Sequence, residues 1–225
     1  TLLRRLGCTS EPDVLLSLES DVPIASGLGS GAATAAAVAR ALARWLGYEL
    51  SPAQLSAIIY ETEKIHHGTP SGIDNTVIAY EQPIWFVKGA APLPFRVARP
   101  LRWLVADTGI SSPTRHTVGD VRAAWLADPA RAEARFDAIA ALVRAARAAL
   151  EEGDAPQVGA LMNANHALLV EMGVSAPEND ALAAAACAAG ALGAKLSGGG
   201  RGGNNVALVT AERLPAVRAA LLQAG

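Results

Sequence analysis

Cysteine is almost absent from this chain. Cys8 and Cys187 are the two among 225 residues, at no metal-ligand spacing, which excludes a disulfide framework and a cysteine zinc site. That usage suits a reducing, cytoplasmic setting, and both thiols are expected to be buried. An excess of either charge is missing too. With 19 Lys and Arg against 21 Asp and Glu, the formal net charge of -2 offers no basic face for sequence-independent contact with a nucleic-acid backbone. The most apolar windows, 32–46 and 181–194, are broken by Arg40 and Arg44 or by Gly190 and Gly193, so no membrane-spanning helix is expected. There is no internal repeat. The chain begins at Thr1 without methionine, and "TLLRRLG" has the pattern of neither a signal peptide nor a capped helix, so a longer natural chain is expected upstream.

What is present is a globular composition. Hydrophobic residues make up 51%, enough to bury a core in one large domain or two small ones. "DVLLSLES", residues 13–20, alternates weakly and reads as a strand. From Gly31 to Leu46 apolar residues exceed what one amphipathic face needs, which predicts a helix buried on several sides and stopped by Gly47. "SPAQLSAIIYETEKIHH" starts with Ser51 as N-cap and Pro52 at the first helical position. "QPIWFV" and "LRWLVADTG" read as strands around the proline-rich "KGAAPLPFRVARP", which places a domain seam near residue 97. Helices are expected near 112–127, 130–152, 155–172 and 178–190, then short strands in "GAKLS" and "NNVALV" and a last helix from about 211. Strands at both ends of this half with helices between them predict an α+β domain.

Three stretches can carry chemistry. In "PIASGLGSGAA" a glycine run feeds a helix, exposing backbone N–H groups at the positive end of the helix dipole where glycine lets an anion approach closely. A tight turn that packs a helix on a sheet explains the same residues, and both readings stay open. Gly27, Gly29 and Ala32 also satisfy the G-x-G-x-x-A dinucleotide fingerprint, with Glu49 downstream. Pro23 and three further residues separate the strand from the first glycine, however, and no second hydrophobic strand precedes Glu49. A Walker loop is excluded because no G-K-[ST] closes the run.

The second stretch, "ETEKIHHGTPSGIDN", ends a helix at His66 and His67 and turns through Pro70 and Gly72 to deliver Asp74. Glu63 and Asp74 could converge there, one carboxylate on a metal and one on a substrate hydroxyl, although a lone helical glutamate is more often solvated. Glu61 and Lys64 fit a solvated face. Adjacent histidines do not share a helix face, which leaves His66 and His67 as structural or substrate-flanking. The third, "KLSGGGRGGNNVAL", puts five glycines in six positions between two apolar strands. Such a loop is a poor hairpin, and ligand contact would explain it, with Arg201 either neutralising a phosphate or simply exposed.

The ordered set "PIASGLGSGAA", "HGTPSGID", "ADTGISSPT", "NANHALLVEMGVSAP" and "GAKLSGGGRGG" resembles the GHMP kinase superfamily and, within it, the mevalonate kinases, over about residues 15–210. That resemblance implies an α+β GHMP kinase fold of two α+β domains. Residues 1–96 would be the remainder of a ribosomal S5 domain 2-like, ATP-binding domain, and 97–225 a ferredoxin-like C-terminal GHMP domain. It implies ATP-dependent phosphorylation of the C5 hydroxyl of mevalonate, a step of isoprenoid precursor synthesis, with ATP and Mg²⁺ as cofactors. The expected partner is this small molecule, with neither nucleic acid nor membrane, and a homodimer is compatible.

By the same resemblance, Gly27, Leu28, Gly29, Ser30, Gly31 and Ala32 would cradle the phosphates, with Gly199 and Gly200 bordering them. Ser30 and Glu63 would hold the metal, Asp74 would be the catalytic carboxylate, and Thr114, Ser71 and His67 would contact substrate. The chain departs from the family at Gly31, where a second serine is usual, and at Gly199 and Arg201, where alanine and glycine are usual. The family's lysine-bearing first motif has no counterpart before residue 15. The resemblance also admits a phosphomevalonate kinase or decarboxylase, a mevalonate 3-kinase, a galactokinase-like sugar kinase, or a non-catalytic nucleotide-binding domain.

Overall fold

A computed structural model of the chain describes residues 13–21, 29–67, 70–110 and 114–225 with Leu3 and Cys8, and the side chains of all of these except His66 and His67. The chain divides into two units, Thr1–Phe95 and Arg96–Gly225. Both mix helix and strand, the α+β class expected.

In the first unit α1 (Ser30–Trp45), α2 (Pro52–His67) and α3 (Ile73–Tyr80) pack together, followed by a ribbon of β1 (Ile84–Trp85) and β2 (Leu93–Pro94). Helix α1 buries Ala32, Ala36, Ala39 and Ala43, spaced by three and four, so it is buried along one stripe and not on several sides. Alanine explains the difference: its small side chain lets α2 approach closely on that stripe, while Trp45 stays 56% exposed. The core formed there joins Ala32, Ala36 and Ala39 to Leu55 and Ile59 of α2 and Ala79 of α3. Each large aliphatic side chain buried in this way stabilises the fold by about 2 kcal/mol.

The ends of these helices follow their sequence signals. Gly47 has φ +77°, and the N–H groups of Gly47 and Tyr48 donate to the carbonyls of Arg44 and Ala43, closing α1. Ser51 and Gln54 bond each other's backbone N–H reciprocally, which is the capping box of α2. Residues 13–20 are not a strand. They are exposed, with Leu15 92% exposed, and they join neither of the two described sheets.

The second unit is built on a three-stranded antiparallel sheet in the order β3 (Arg102–Asp107), β5 (Asn204–Val209), β4 (Gly193–Leu196). Between β3 and β4 run α4 (Thr114–Ala127), α5 (Pro129–Glu152), α6 (Ala155–Glu171) and α7 (Pro177–Ala188), and α8 (Leu214–Ala224) ends the chain. One sheet face packs Leu104, Ala194, Ala207 and Val209 against Leu182, Ala186, Val217 and Leu221 of α7 and α8. The other packs Val206 and Leu208 against Ala149, Val158 and Met162 of α5 and α6. Gly153 (φ +80°) ends α5, and Asp154 caps α6 by accepting from Gln157 N–H at 3.0 Å, so a two-residue turn reverses the chain. No helix among the described residues is long and apolar enough to cross a membrane.

Helix α6 crosses β4 at a glycine pair. A Cβ on Gly159 would fall on the carbonyl of Leu192, and one on Gly193 would fall on that of Gly159. In contrast, Gly119 within α4 has open space around it. Gly159→Ala should therefore cost about 2 kcal/mol by overpacking, whereas Gly119→Ala should add about 0.5–1 kcal/mol by helix propensity. Urea unfolding midpoints that move in the same direction for both variants would contradict this packing.

Candidate functional site

The first glycine run enters α1 at Gly29, whose φ of +70° is the left-handed conformation that glycine adopts without a Cβ penalty. Gly27 and Leu28 lie outside the described residues. Ser30 opens the helix, Gly31 follows, and Ala32 faces the core at 1% exposure. Glu63 does not sit on a solvated face. It is 5% exposed on α2, and a Cβ added to Gly31 would come within 3.2 Å of its Oε1. A buried carboxylate thus lies against the first turn of α1, where the helix dipole favours negative charge. The serine expected at position 31 would crowd that carboxylate, and glycine leaves room for it. Glu61 and Lys64 remain outside, paired at 2.9 Å with the ammonium over Tyr60.

Asp74 is the second residue of α3 and is exposed. Its neighbours fix the turn that presents it. Asn75, 5% exposed, donates from Nδ2 to Ser56 Oγ at 2.8 Å, and Thr76 Oγ1 donates to Gly72 O at 2.6 Å. Gly72 adopts φ +93° with Phe86 packed where a side chain would begin. Asp74 and Ile78 are one turn apart on the same face of α3, and Ile78 approaches Gly29 at the N-terminus of α1. Ser71 Oγ accepts from Ile73 N–H at 3.2 Å, so this hydroxyl helps start α3. The side chain of His67 lies outside the described residues.

In the second unit Thr114 opens α4 and meets the second glycine run directly: its Oγ1 occupies the space a Cβ at Gly199 would need. Gly200 is buried at φ +76°, and a Cβ there would strike the carbonyl of Val174. The alanine usual at position 199 is thus incompatible with this placement of Thr114. Arg201 is neither free nor simply exposed, since its guanidinium is bonded to Asp120 and to Gly173 O.

Sequence reasoning missed the floor of this loop. Asn179 on α7 is 0% exposed, accepts from Gly202 N–H at 2.8 Å, and donates to Gly202 O at 3.2 Å and to Asn205 Oδ1 at 2.6 Å. Asn205 returns a bond to Asn179 O at 2.8 Å. The available signal was a polar pair, Asn204 and Asn205, inside an otherwise apolar strand. Also missed was the role of "NANH". Asn163 Oδ1 accepts from Ala194 N–H at 2.9 Å and His166 Nδ1 from Leu196 N–H at 3.3 Å, so α6 side chains satisfy alternate donors on the outer edge of β4.

The same helix shapes the local electrostatics. Burial, opposed by Asp180 and reinforced by Lys195, pulls the His166 imidazole below its ordinary value of 6.5. Its Nε2 lies 3.3 Å from Asp180 Oδ1, off line for a hydrogen bond. Burial likewise lowers the Lys195 ammonium, which donates to Leu196 O at 2.7 Å, and raises the Cys187 thiol. Cys187 and Cys8 are free and only partly buried, against the expectation of full burial.

Two family models match the chain: GHMP kinases N terminal domain over residues 1–82, and GHMP kinases C terminal over 146–225. A mevalonate kinase of Aeropyrum pernix is 38% identical over 201 residues, covering 88% of this chain and 61% of that protein. One of Pyrococcus furiosus is 35% identical over 201 residues, covering 87% and 59%. The crystal structure of L. major mevalonate kinase in complex with R-mevalonate superposes with a TM-score of 0.81 at 34% identity, covering 87% of this chain and 61% of that one. The chain spans about three fifths of the length of the relatives it matches.

Neutral His166 is required by its bond to Leu196 N–H. The folded imidazole holds a proton more weakly than the unfolded one, so the unfolded state binds more protons in acid. This contribution to stability is complete above 6.5 and is lost as the pH falls below it toward the lowered folded value. The urea midpoint of the protein should drop across that window, and His166→Gln should flatten the acid limb. An unaltered acid limb in the variant would remove His166 from this role.

Proposed function

This chain belongs to the GHMP kinase family, and from that premise we propose that it carries the active-site residues of an ATP-dependent mevalonate kinase. Transfer of the terminal phosphoryl group of ATP to the C5 hydroxyl of mevalonate is the reaction, with 5-phosphomevalonate and ADP as products. The observation that carries the reading is the buried carboxylate of Glu63 against the glycine-led first turn of α1. A helix N-terminus that offers backbone donors to phosphate, beside a carboxylate suited to a divalent cation, is the combination that phosphoryl transfer needs.

The residues present fit Mg²⁺. This cation takes one or two protein oxygens and fills the rest of its shell with phosphate and water, and Ser30 and Glu63 offer one hydroxyl and one carboxylate. When bound, the ion supplies charge neutralisation on the transferring phosphates. Ser30 and Glu63 would hold it, and the glycines of the loop would let phosphate oxygens approach the backbone.

Asp74 is the group we assign to the substrate hydroxyl. It stands exposed in the first turn of α3, where its carboxylate would orient the hydroxyl and accept its proton as oxygen attacks phosphorus. Asn75 and Thr76 keep this turn rigid without touching substrate. Thr114 and Gly199 are the contacts we assign to the second unit, Thr114 for substrate and the Gly198–Gly203 run for phosphate. In this family a non-catalytic nucleotide-binding role would need no exposed carboxylate at position 74.

Asp74→Asn in the complete protein should lower kcat on the order of a thousandfold while the KM for ATP stays close to wild type, read in a coupled assay with ATP, Mg²⁺ and mevalonate. Turnover within a few-fold of wild type would remove Asp74 from catalysis. Glu63→Gln should shift the Mg²⁺ activation curve to higher concentration, since a neutral amide binds a hard cation more weakly. Unchanged metal dependence would leave Glu63 as a buried structural acid.

A further inference from the structure

Arg201 is the single side chain larger than hydrogen in the Gly198–Gly203 run, and its backbone has the left-handed φ of +56° that glycine adopts at less cost. Such a conformation persists where the surroundings impose it. Here they do so through three bonds. The N–H of Arg201 donates to Val174 O at 2.9 Å, its Nε donates to Gly173 O at 3.0 Å, and its Nη1 pairs with Asp120 Oδ2 on α4. The same helix meets the loop a second time through Thr114 at Gly199. Opposite the buried floor supplied by Asn179, one ion pair therefore fastens the rim.

We propose that Arg201 is a positioning residue whose pairing with Asp120 latches the glycine loop to α4 and so fixes the loop's phosphate-binding shape, without contacting phosphate itself. A guanidinium already engaged by a carboxylate and a carbonyl would have to give up both to reach an anion. Five glycines lose more conformational entropy on ordering than any other residues, so a loop made of them depends on contacts supplied from outside. Unlike Asn179, the Asp120 partner is exposed, which makes the rim the part of the loop that opens first. That phosphate is the ligand rests on the kinase reading above.

The test uses the complete protein as wild type, Arg201→Ala, Asp120→Asn and the double variant. In ligand-free protein, hydrogen exchange of the loop amides should accelerate by about five-fold in Asp120→Asn and by at least as much in Arg201→Ala, which also loses the bond to Gly173 O, and the double variant should go no further than Arg201→Ala, because the ion pair is then already gone. The KM for ATP should rise by a similar factor in the same three variants while kcat is nearly unchanged. Unaltered exchange would overturn the latch. A raised KM in Arg201→Ala with a wild-type KM in Asp120→Asn would make Arg201 a direct phosphate ligand and overturn the proposal. Faster exchange with unchanged KM would overturn the positioning role while leaving the latch. Absence of turnover in wild type would count against the kinase reading alone, since the exchange measurement still decides the latch.

Discussion

A buried carboxamide closes the hydrogen bonds of a loop that has almost no side chains of its own. Asn179 takes up both the N–H and the C=O of Gly202 and then pairs with Asn205, so the loop connecting β4 to β5 is anchored on α7. An apolar residue in its place would leave Gly202's two backbone groups without these partners, each a loss of about 1–3 kcal/mol when buried. The rest of the second unit is arranged around that constraint. Helix α7 has to lie under the loop, α6 has to supply the outer edge of β4 through Asn163 and His166, and α4 has to bring Thr114 to Gly199.

The first unit reaches a comparable result by other means. There the glycine run is followed by an alanine-rich helix whose close packing on α2 brings the carboxylate of Glu63 to the first turn of α1. Small residues do two jobs. They permit backbone approach at the loop and helix approach one turn later, and a larger side chain at Ala32 or Ala36 would push α2 away and take Glu63 with it. Position 31 fits this scheme, because glycine is the residue that leaves the carboxylate space.

Much of the fold was legible because its signals are local. The N-cap at Ser51, the break between the helices ending at 152 and starting at 155, and the glycine stop after α1 are each decided by hydrogen bonds within a few residues. The misreadings share the opposite property. Residues 13–20 have the composition of a strand, but a strand exists through its partner, and alternation does not reveal whether one is there. The one-sided burial of α1 was hidden because alanine is compatible with core and surface alike. Of the candidate site, the motif order singles out Asp74, Thr114 and the two glycine runs as the residues to test. The burial of Glu63 depends on a helix neighbour, and the Asn179–Asn205 pair joins residues 26 apart in sequence, which no spacing rule within one element can reach.

The contact between Gly159 and Gly193 bears on how this chain can change over generations. Neither position can gain a side chain first, because the atom added at one falls on backbone belonging to the other's neighbourhood. A substitution elsewhere in the core can be relieved by a second change nearby, but backbone cannot be trimmed. Helix α6 and strand β4 are thus bound into a single heritable module, whose crossing stays fixed whatever side chains pack around it.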